Sequence, residues 1–367
     1  MQRSMRERKG RQARNERAGT RCSGPRPRVR TIELRSQGGF SLIELLVATG
    51  LLLVISGIVT NAIMQMTKAQ TTIWNRTEMH SGIRGATELL QQEVGQAGLI
   101  SLPAAVTIAA NPVTAVVGTP SACVTATTTL SSAAGMWGNA TTGIKLTFQD
   151  GDNAETVRVS TLAGNAVTGC FWHNHAVGAV VMALGGFAEG IIPPSSIPYT
   201  NGSDANRLKL FGDINVDGTP MQYVEYYCDN GDAGTNGSHN LYRNVMNYDA
   251  GAKPAVTSSN ILLSNVYTNP ADTGGVARPC FKYQTVTINN PSHTADSHTY
   301  VLDVAVTLTV QTQLVDPITR KYQTETKALL NVSPRNVFNT WMLAGNGLWD
   351  RVQATPATVT ALLPTVP

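Results

Sequence analysis

The apolar residues of this chain are concentrated in one long segment near the N-terminus. Residues 45–67 contain no charged side chain, and as a helix rising 1.5 Å per residue they would be about 35 Å long, enough to cross a bilayer core. Helical spacing of apolar residues continues to Val94, where Gly95 and Gly98 provide stop signals. The pattern predicts one helix of residues 40–98, with a transmembrane segment at about 42–66. Its second half is predicted to pack through Ile73, Ile83, Leu89, Leu90 and Val94.

From residue 101 onward the sequence is rich in Thr, Val, Ala, Asn and Gly, a composition typical of strands and loops. Alternation of apolar and polar residues predicts hairpins at residues 144–159, 222–245 and 302–332. In the last hairpin one face is predicted to hold Tyr322, Ala328, Leu330 and Val332, and the solvent face Lys321, Gln323, Glu325 and Lys327. The predicted fold is α+β: a long N-terminal helix, a mainly antiparallel β domain of residues 99–351, and a loose tail of residues 352–367.

Positive charge is concentrated ahead of the apolar segment. Residues 1–39 contain twelve Lys or Arg and three Glu, a net charge of +9, although the whole chain carries only +4. The other residues therefore carry a net −5, so the basic pI does not indicate nucleic-acid binding. An excess of Lys and Arg keeps its side of a membrane segment in the cytoplasm. The charge pattern thus predicts a single-pass inner-membrane protein with a periplasmic C-terminal domain.

A carboxylic acid lies at the start of the apolar segment. Glu44 would sit in or beside hydrocarbon, where an unpaired charge costs several kcal/mol, so an acid at this place indicates a function. A secretory signal peptide would have a shorter apolar core and a small-residue exit site. A plain membrane anchor with an incidental Glu, or the core helix of a soluble protein, would account less well for this combination of length and acid.

The residues around Glu44 resemble the N-terminus of the type IV pilins and pseudopilins. In that family a basic leader ends in Gly, the mature chain begins with Phe, and Glu is its fifth residue; here these are Gly39, Phe40 and Glu44. The resemblance implies that a membrane prepilin peptidase removes residues 1–39 by cutting after Gly39, and methylates the new amine of Phe40. It also implies that Phe40 and Glu44 take part in assembly. The leader is long for this family, and initiation at Met5 or beyond is an open alternative.

Three further segments are similar to PilW-type minor pilins. They are the Ala97-Gly98 pair at the predicted helix end, Tyr226-Tyr227-Cys228 followed by Leu241-Tyr242-Arg243, and Val332-Ser333-Pro334-Arg335-Asn336-Val337. The J pseudopilin of type II secretion shares a Leu-Tyr-Arg element. The resemblance is therefore dense over residues 38–100 and patchy over residues 210–340.

The resemblance implies a minor pilin that takes part in type IV pilus assembly, in a priming or tip complex, with no catalysis of its own. The implied partners are the prepilin peptidase, other minor and major pilins, the inner-membrane assembly platform and the membrane, and the implied final location is the filament or its tip. One alternative is a minor pseudopilin of a type II secretion system. A second is a membrane-anchored periplasmic binding protein or enzyme, although the sequence contains no Gly-x-Ser-x-Gly, P-loop or dinucleotide-binding motif.

The cysteine pattern indicates disulfides. Apart from Cys22 in the predicted leader, the cysteines are Cys123, Cys170, Cys228 and Cys280, an even number in a domain expected to be periplasmic, where disulfides persist. Three connectivities are possible, and the sequential one, Cys123–Cys170 and Cys228–Cys280, closes the shortest loops that do not overlap. A zinc site is the alternative, but the chain has no Cys-x-x-Cys pair.

One acidic segment resembles the start of a calcium loop. Asp213, Asn215 and Asp217, followed by Gly218, have the Asp-x-Asn-x-Asp-Gly form in which alternate side chains direct oxygens at an ion and the glycine allows a sharp turn. The twelfth position of an EF-hand would be Val224, which carries no oxygen ligand in its side chain. The pattern therefore predicts at most an abbreviated calcium loop, and the alternative is an Asx-rich turn.

Overall fold

The computed structural model describes residues 39–115, 122–194, 199–215, 221–231, 239–276 and 278–364. These residues form a long N-terminal helix followed by a mostly antiparallel β domain, which confirms the predicted α+β layout. The chain divides into two compact units, residues 1–62 and residues 63–367. The helix α1, Leu42–Gln96, contributes to both units.

Helix α1 agrees closely with the predicted residues 40–98. Among the described residues it is the one helix that is long and apolar enough to cross a membrane. Hydroxyl groups in its apolar part bond to the preceding turn: Thr49 Oγ1 donates to the Leu45 carbonyl at 2.9 Å and Thr60 Oγ1 to the Ser56 carbonyl at 2.8 Å. Because hydrocarbon offers no hydrogen-bond partner, such internal bonds suit a membrane segment.

The end of α1 is set by Gly98. Its φ of +82° lies in the left-handed region that favours glycine and terminates a helix. The Gly98 N–H donates to the carbonyl of Phe211, and its carbonyl accepts from the N–H of Phe187, both at 2.9 Å. A Cβ at Gly98 would lie 2.9 Å from Cγ2 of Val337. The chain is therefore tied into the β domain immediately after the helix.

The second half of α1 packs through a stripe that differs in part from the prediction. Ile83, Leu90 and Val94 are buried as expected. Ile73, however, is 65% exposed, and Leu89 is only half-buried. At 100° per residue Leu89 cannot share the face of Leu90, so the stripe is completed by smaller or polar side chains. These are Asn75, Ala86, Thr87 and Glu93.

The first sheet contains seven of the described strands: β1 (Val106–Ala110), β2 (Val124–Leu130), β3 (Lys145–Gln149), β4 (Glu155–Arg158), β5 (Thr161–Ala163), β6 (Ala166–Phe171) and β7 (Val180–Met182). They follow the order β4-β3-β7-β1-β2-β6-β5, and every pairing is antiparallel. One hydrophobic cluster joins this sheet to later residues such as Phe211, Tyr223 and Val359, and in it Phe148 and Phe171 meet edge to face.

The other strands lie against α1 and the C-terminal helices. They are β8 (Gly186–Phe187), β9 (Arg207–Gly212), β10 (Gln222–Cys228), β11 (Asn240–Asn247), β12 (Ile261–Ser264), β13 (Val266–Tyr267), β14 (Phe281–Ile288), β15 (His298–Gln311), β16 (Thr324–Val332) and β17 (Val352–Gln353), with α2 (Arg335–Gly345) and α3 (Ala357–Leu362). Strands β9 to β12 form a second sheet, and β13 to β16 a third around β15. A second hydrophobic cluster joins both sheets to α1.

The three predicted hairpins are present as β3–β4, β10–β11 and β15–β16, but the predicted faces of the last one are only partly correct. Val304 pairs with Val332 and Val306 with Leu329, so β16 contains an extra residue, and Asn331 there has a φ of +58°. This bulge reverses the alternation of residues 324–329 relative to Val332.

The bulge exchanges the two faces of β16. Glu325 and Lys327 pair with the buried Val310 and Leu308 and therefore share their face, whereas Ala328 is exposed. Glu325 forms an ion pair with His80 of α1, and Gln323 accepts a hydrogen bond from Arg76. Gln323 and Glu325, predicted to face solvent, therefore contact α1, whereas Lys321 and Lys327 are exposed as predicted. The side chain of Leu330 lies outside the described set.

The prediction of a loose tail is wrong. Residues 352–353 form β17, which pairs in parallel with β8, and residues 357–362 form α3. The side-chain amide of Gln353 forms two hydrogen bonds with the backbone of Lys145: it accepts from the N–H and donates to the carbonyl, both at 2.9 Å. Lys209 Nζ donates to the carbonyl of Leu363 at 2.7 Å. Composition predicted an unstructured tail because it does not reveal the tertiary partners that bury this segment. The β domain therefore extends to at least residue 364.

Both disulfides have the sequential connectivity. Cys123 bonds to Cys170, and Cys228 bonds to Cys280. The first joins neighbouring strands at a half-exposed position, since β2 already pairs with β6. The second is fully buried and joins the end of β10 to the residue before β14, across two sheets.

Replacing Cys228 and Cys280 together by Ala is expected to lower the free energy of unfolding by about 2–5 kcal/mol, because the bond closes a loop spanning 52 residues and links separate sheets. The matched pair Cys123→Ala and Cys170→Ala should cost less, because its sulfur atoms lie at a half-exposed position, where truncation leaves no buried cavity. Thermal melting of the full-length variants in detergent checks the ranking; equal losses, or a larger loss for the second pair, would contradict it.

Candidate assembly site

The predicted processing residues immediately precede α1. Gly39 and Phe40 lie outside the helix, and Phe40 is 83% exposed. Ser41 Oγ accepts a hydrogen bond from the N–H of Glu44 at 3.2 Å. The Ser41-x-x-Glu44 spacing is that of a capping box, and an acid in the first turn interacts favourably with the helix dipole. The local sequence therefore starts the helix directly after Phe40 and places Glu44 in its first turn.

The Glu44 carboxylate has no hydrogen bond or ion pair within the part of the chain that the structure describes. Every other residue from Leu42 to Met66 is uncharged. In a membrane such a carboxylate is costly unless a positive group reaches it. Chemically, the site can accept a cation, and the nearest candidate is the amine that cleavage after Gly39 would create on Phe40.

A second set of contacts joins the last turns of α1 to the β domain. The side chain of Glu93 is 4% exposed, and Arg243 Nε donates to its Oε1 at 3.0 Å. Tyr226 donates its hydroxyl to the same carboxylate. Asn336 Nδ2 donates to the carbonyl of Gln96 at 3.0 Å, which satisfies one of the open carbonyls at the helix end. We call Glu93, Tyr226, Arg243 and Asn336 the helix-end cluster.

The electrostatics of this cluster favour a charged Glu93–Arg243 pair with a neutral phenol beside it. Burial, reinforced by the negative charge of Glu93, raises the pKa of Tyr226 far above its usual value, so the phenol remains a donor. The carboxylate thus receives hydrogen bonds from one charged and one neutral partner. A buried acid with this many donors is satisfied, but it depends on all of them.

The helix-end cluster brings together three segments that are far apart in the sequence. Tyr226 and Arg243 come from the Tyr-Tyr-Cys and Leu-Tyr-Arg segments, and Asn336 comes from the segment of residues 332–337. Sequence reasoning missed Glu93, the shared partner of Tyr226 and Arg243. The signal that could have found it was an acid on the buried stripe of α1, three residues after Leu90 and next to Val94.

The candidate calcium residues are only partly described. Asp213 is buried, accepts a hydrogen bond from Ser101 Oγ, and donates its backbone N–H to the Leu99 carbonyl at 2.9 Å. Asn215 Nδ2 donates to Gln222 Oε1 at 3.2 Å, and Asp217 lies outside the described residues. Within the described segments, no group of three or more His, Cys, Asp or Glu side chains is placed to hold a metal ion. Calcium binding stays a prediction.

Comparison with known proteins gives one match, at the N-terminus. Residues 34–60 match the family model described as the prokaryotic N-terminal methylation motif. No curated protein and no solved structure matches the chain. The match contains Gly39, Phe40 and Glu44 and the first turns of the apolar helix. Over residues 34–60, this motif and the long apolar helix that it opens are similar to the N-termini of prepilin-type proteins, the pilins and pseudopilins.

Proposed function

We propose that this chain is a PilW-type minor pilin that takes part in type IV pilus assembly, in a priming or tip complex. Prepilin peptidase cuts after Gly39 and methylates the amine of Phe40. The observation that carries the proposal is Glu44, because it lies inside the matched motif and its carboxylate lacks a partner in the described chain. An acid in an apolar helix needs a cation, and assembly with a processed pilin supplies one.

A second observation supporting the proposal is the uncovered face of α1 in residues 63–96. Ile73 and Trp74 are 65% and 75% exposed, and Ile63 and Met66 continue this face toward the apolar end of the helix. Trp74 lies nine residues before the buried Ile83, which places it on the opposite side of the helix at 100° per residue. We assign this face to α1 of a neighbouring pilin, whose apolar helix offers matching side chains.

The PilW assignment is supported by the helix-end cluster. The segments that resemble PilW-type chains supply its domain-side members, so the resemblance corresponds to one structural task, the attachment of the pilin helix to its domain. The J pseudopilin shares the Leu-Tyr-Arg element to which Arg243 belongs. A minor pseudopilin of a type II secretion system is therefore the second candidate, and a membrane-anchored periplasmic binding protein or enzyme is the alternative of another class.

In this proposal the protein has no catalytic activity of its own. Its partners are the prepilin peptidase, the other minor and major pilins and the inner-membrane assembly platform. The chain crosses the inner membrane once, with the β domain in the periplasm, and moves into the filament or its tip on assembly.

Gly39→Val is expected to abolish processing, because the peptidase acts on the bond between Gly39 and Phe40. Intact mass and N-terminal sequencing of membrane-extracted protein should show a wild-type chain that begins at methylated Phe40, and a variant that retains residues 1–39. Gly38→Val is the matched control and should be processed normally. A mature Phe40 N-terminus in the Gly39→Val variant, or an unprocessed wild type, would refute the pilin proposal and favour a permanently anchored protein.

Deletion of the gene distinguishes a role in the type IV pilus from a role in type II secretion. Loss of surface pili with normal export of secreted proteins is the result expected for a minor pilin. Normal piliation with blocked export would instead assign the chain to type II secretion. Complementation with the full-length chain restores the affected process in either case and controls for effects on neighbouring genes.

A further inference from the structure

The turn between β15 and β16 contacts α1 at Thr72, a few residues after Met66. We call residues 312–323 the tip loop. Three contacts order the hairpin along the helix: Glu325 contacts His80, Gln323 contacts Arg76, and Asp316 contacts Thr72. Each step toward the tip therefore moves four residues, about 6 Å, toward the N-terminal end of α1.

The contact with Thr72 places the tip loop close in sequence along α1 to the end of the apolar stretch. Thr72, which donates to Asp316 Oδ1 at 2.9 Å, is six residues past Met66, the last residue of the apolar stretch. Six residues of helix span about 9 Å, and the polar layer of a bilayer leaflet is about 5–8 Å thick. Side chains that extend from the tip loop toward the apolar end of α1 therefore reach the headgroup region.

The tip loop exposes apolar side chains on a fixed backbone. Leu314, Val315 and Ile318 are 57%, 41% and 63% exposed. Asp316, between them, is buried: it accepts from the N–H of Ile318 at 2.8 Å and from Thr72, and its own backbone N–H bonds to the carbonyl of Lys321 at 3.1 Å. The bonds that its carboxylate accepts, that from Ile318 first, hold the pKa of Asp316 below its usual value. These hydrogen bonds explain why the loop is ordered. They do not explain why its three aliphatic side chains are exposed.

Positive charge surrounds these apolar residues. Arg320 and Lys321 are exposed in the tip loop, and Lys68 is exposed on α1 between Met66 and Thr72. The carboxylate of Asp316 is buried and internally bonded, so cations dominate the exposed part of the loop. Aliphatic side chains flanked by Lys and Arg are the combination that binds the surface of an anionic membrane.

We propose that the tip loop is a lipid-binding element, which inserts Leu314, Val315 and Ile318 into the headgroup region of the leaflet on the domain's side. Arg320 and Lys321 bind the phosphate groups of anionic phospholipids there. Continuity with the membrane segment selects lipid as the occupant, because Thr72, which holds Asp316 of the tip loop, lies only six residues after Met66, the last residue of the apolar stretch. The inference requires only that α1 crosses a membrane, so it is independent of the choice between pilus and secretion system.

Photocrosslinking of the full-length chain in vesicles tests the proposal. A photoreactive phenylalanine analogue replaces Ile318 in one variant and Val276, an equally exposed residue at 67%, in the matched control. In vesicles of phosphatidylethanolamine and phosphatidylglycerol, the analogue at position 318 should give roughly tenfold more phospholipid adducts by mass spectrometry than the control. Equal yields at the two positions would overturn the proposal, as would predominant crosslinking of position 318 to a second copy of the chain.

A second experiment tests whether Arg320 and Lys321 bind anionic lipid. Arg320→Glu combined with Lys321→Glu, in the chain labelled at position 318, should lower the yield severalfold in phosphatidylglycerol vesicles and leave the lower yield in phosphatidylcholine vesicles unchanged. An unchanged yield in both vesicles would refute the assignment of these cations to anionic lipid. An unaltered melting temperature of the labelled chains in detergent shows that the folded protein is being compared.

Discussion

Glu44→Ala is expected to reduce incorporation of the mature chain into pili or their priming complex at least about tenfold, while leaving insertion and cleavage after Gly39 intact. The amine of processed Phe40 would lose its partner in the apolar interior, and an unpaired buried charge costs about 3–5 kcal/mol, which exceeds the roughly 1.4 kcal/mol of a tenfold change. Quantitative mass spectrometry of mature chain in sheared pili and in co-purified pilin complexes, relative to the membrane pool, measures the loss.

Two further variants isolate the charge of Glu44. Glu44→Gln keeps the shape and should be impaired almost as strongly as Glu44→Ala. Glu88→Gln makes the same chemical change on the same helix, at an exposed acid that pairs with Arg84 one turn away, and should assemble normally. Wild-type incorporation of Glu44→Ala would remove the carboxylate from the assembly mechanism, even if processing after Gly39 is confirmed.

Arg243→Met is expected to lower the free energy of unfolding of the β domain by about 3 kcal/mol, because it leaves the buried carboxylate of Glu93 without its cationic partner. The melting temperature of the full-length chain in detergent should fall by roughly 5–10 °C. Hydrogen exchange should accelerate first in the last turns of α1, since Arg243 holds this part of the helix against β10 and β11.

The triple variant Glu93→Leu, Tyr226→Phe and Arg243→Met distinguishes a lost ion pair from lost packing. Removing both charges and the Tyr226 hydroxyl should recover most of the stability, because neither an uncompensated carboxylate nor an unbonded buried hydroxyl remains. Arg84→Met, which breaks the exposed pair with Glu88, is the control and should leave the melting temperature unchanged. A triple variant as unstable as Arg243→Met would show that the loss came from packing around the arginine stem.

The sequence was informative wherever a pattern is local or chemical. The apolar run from Leu45 and the glycine stop at Gly98 predicted α1 within two residues at each end. Alternation predicted the three hairpins because strand pairing between neighbouring segments depends on short-range turn and side-chain patterns. Loop lengths favoured the sequential disulfides over the two other connectivities, and the structure contains the sequential pairs.

The errors arose where a distant segment supplies the partner. One additional residue near Asn331 reverses the faces of β16, and a periodicity argument cannot detect it. The C-terminal residues looked unstructured because they are rich in Thr, Pro and Ala, but their partners, the edge at β8 and the amine of Lys209, lie far away in sequence and were not visible from composition.

The same division separates the two candidate functional regions of this protein. The sequence by itself determined the N-terminal methylation motif, because Gly39, Phe40 and Glu44 are recognised by their spacing at one helix start and need no tertiary context. Only the tertiary structure decided that Glu93 is joined by Arg243 and Tyr226, from strands about 130–150 residues away, and that the tip loop lies beside Thr72. Contacts across such distances depend on the packing of whole sheets against α1, and side-chain burial there, rather than local propensity, determines which polar groups meet.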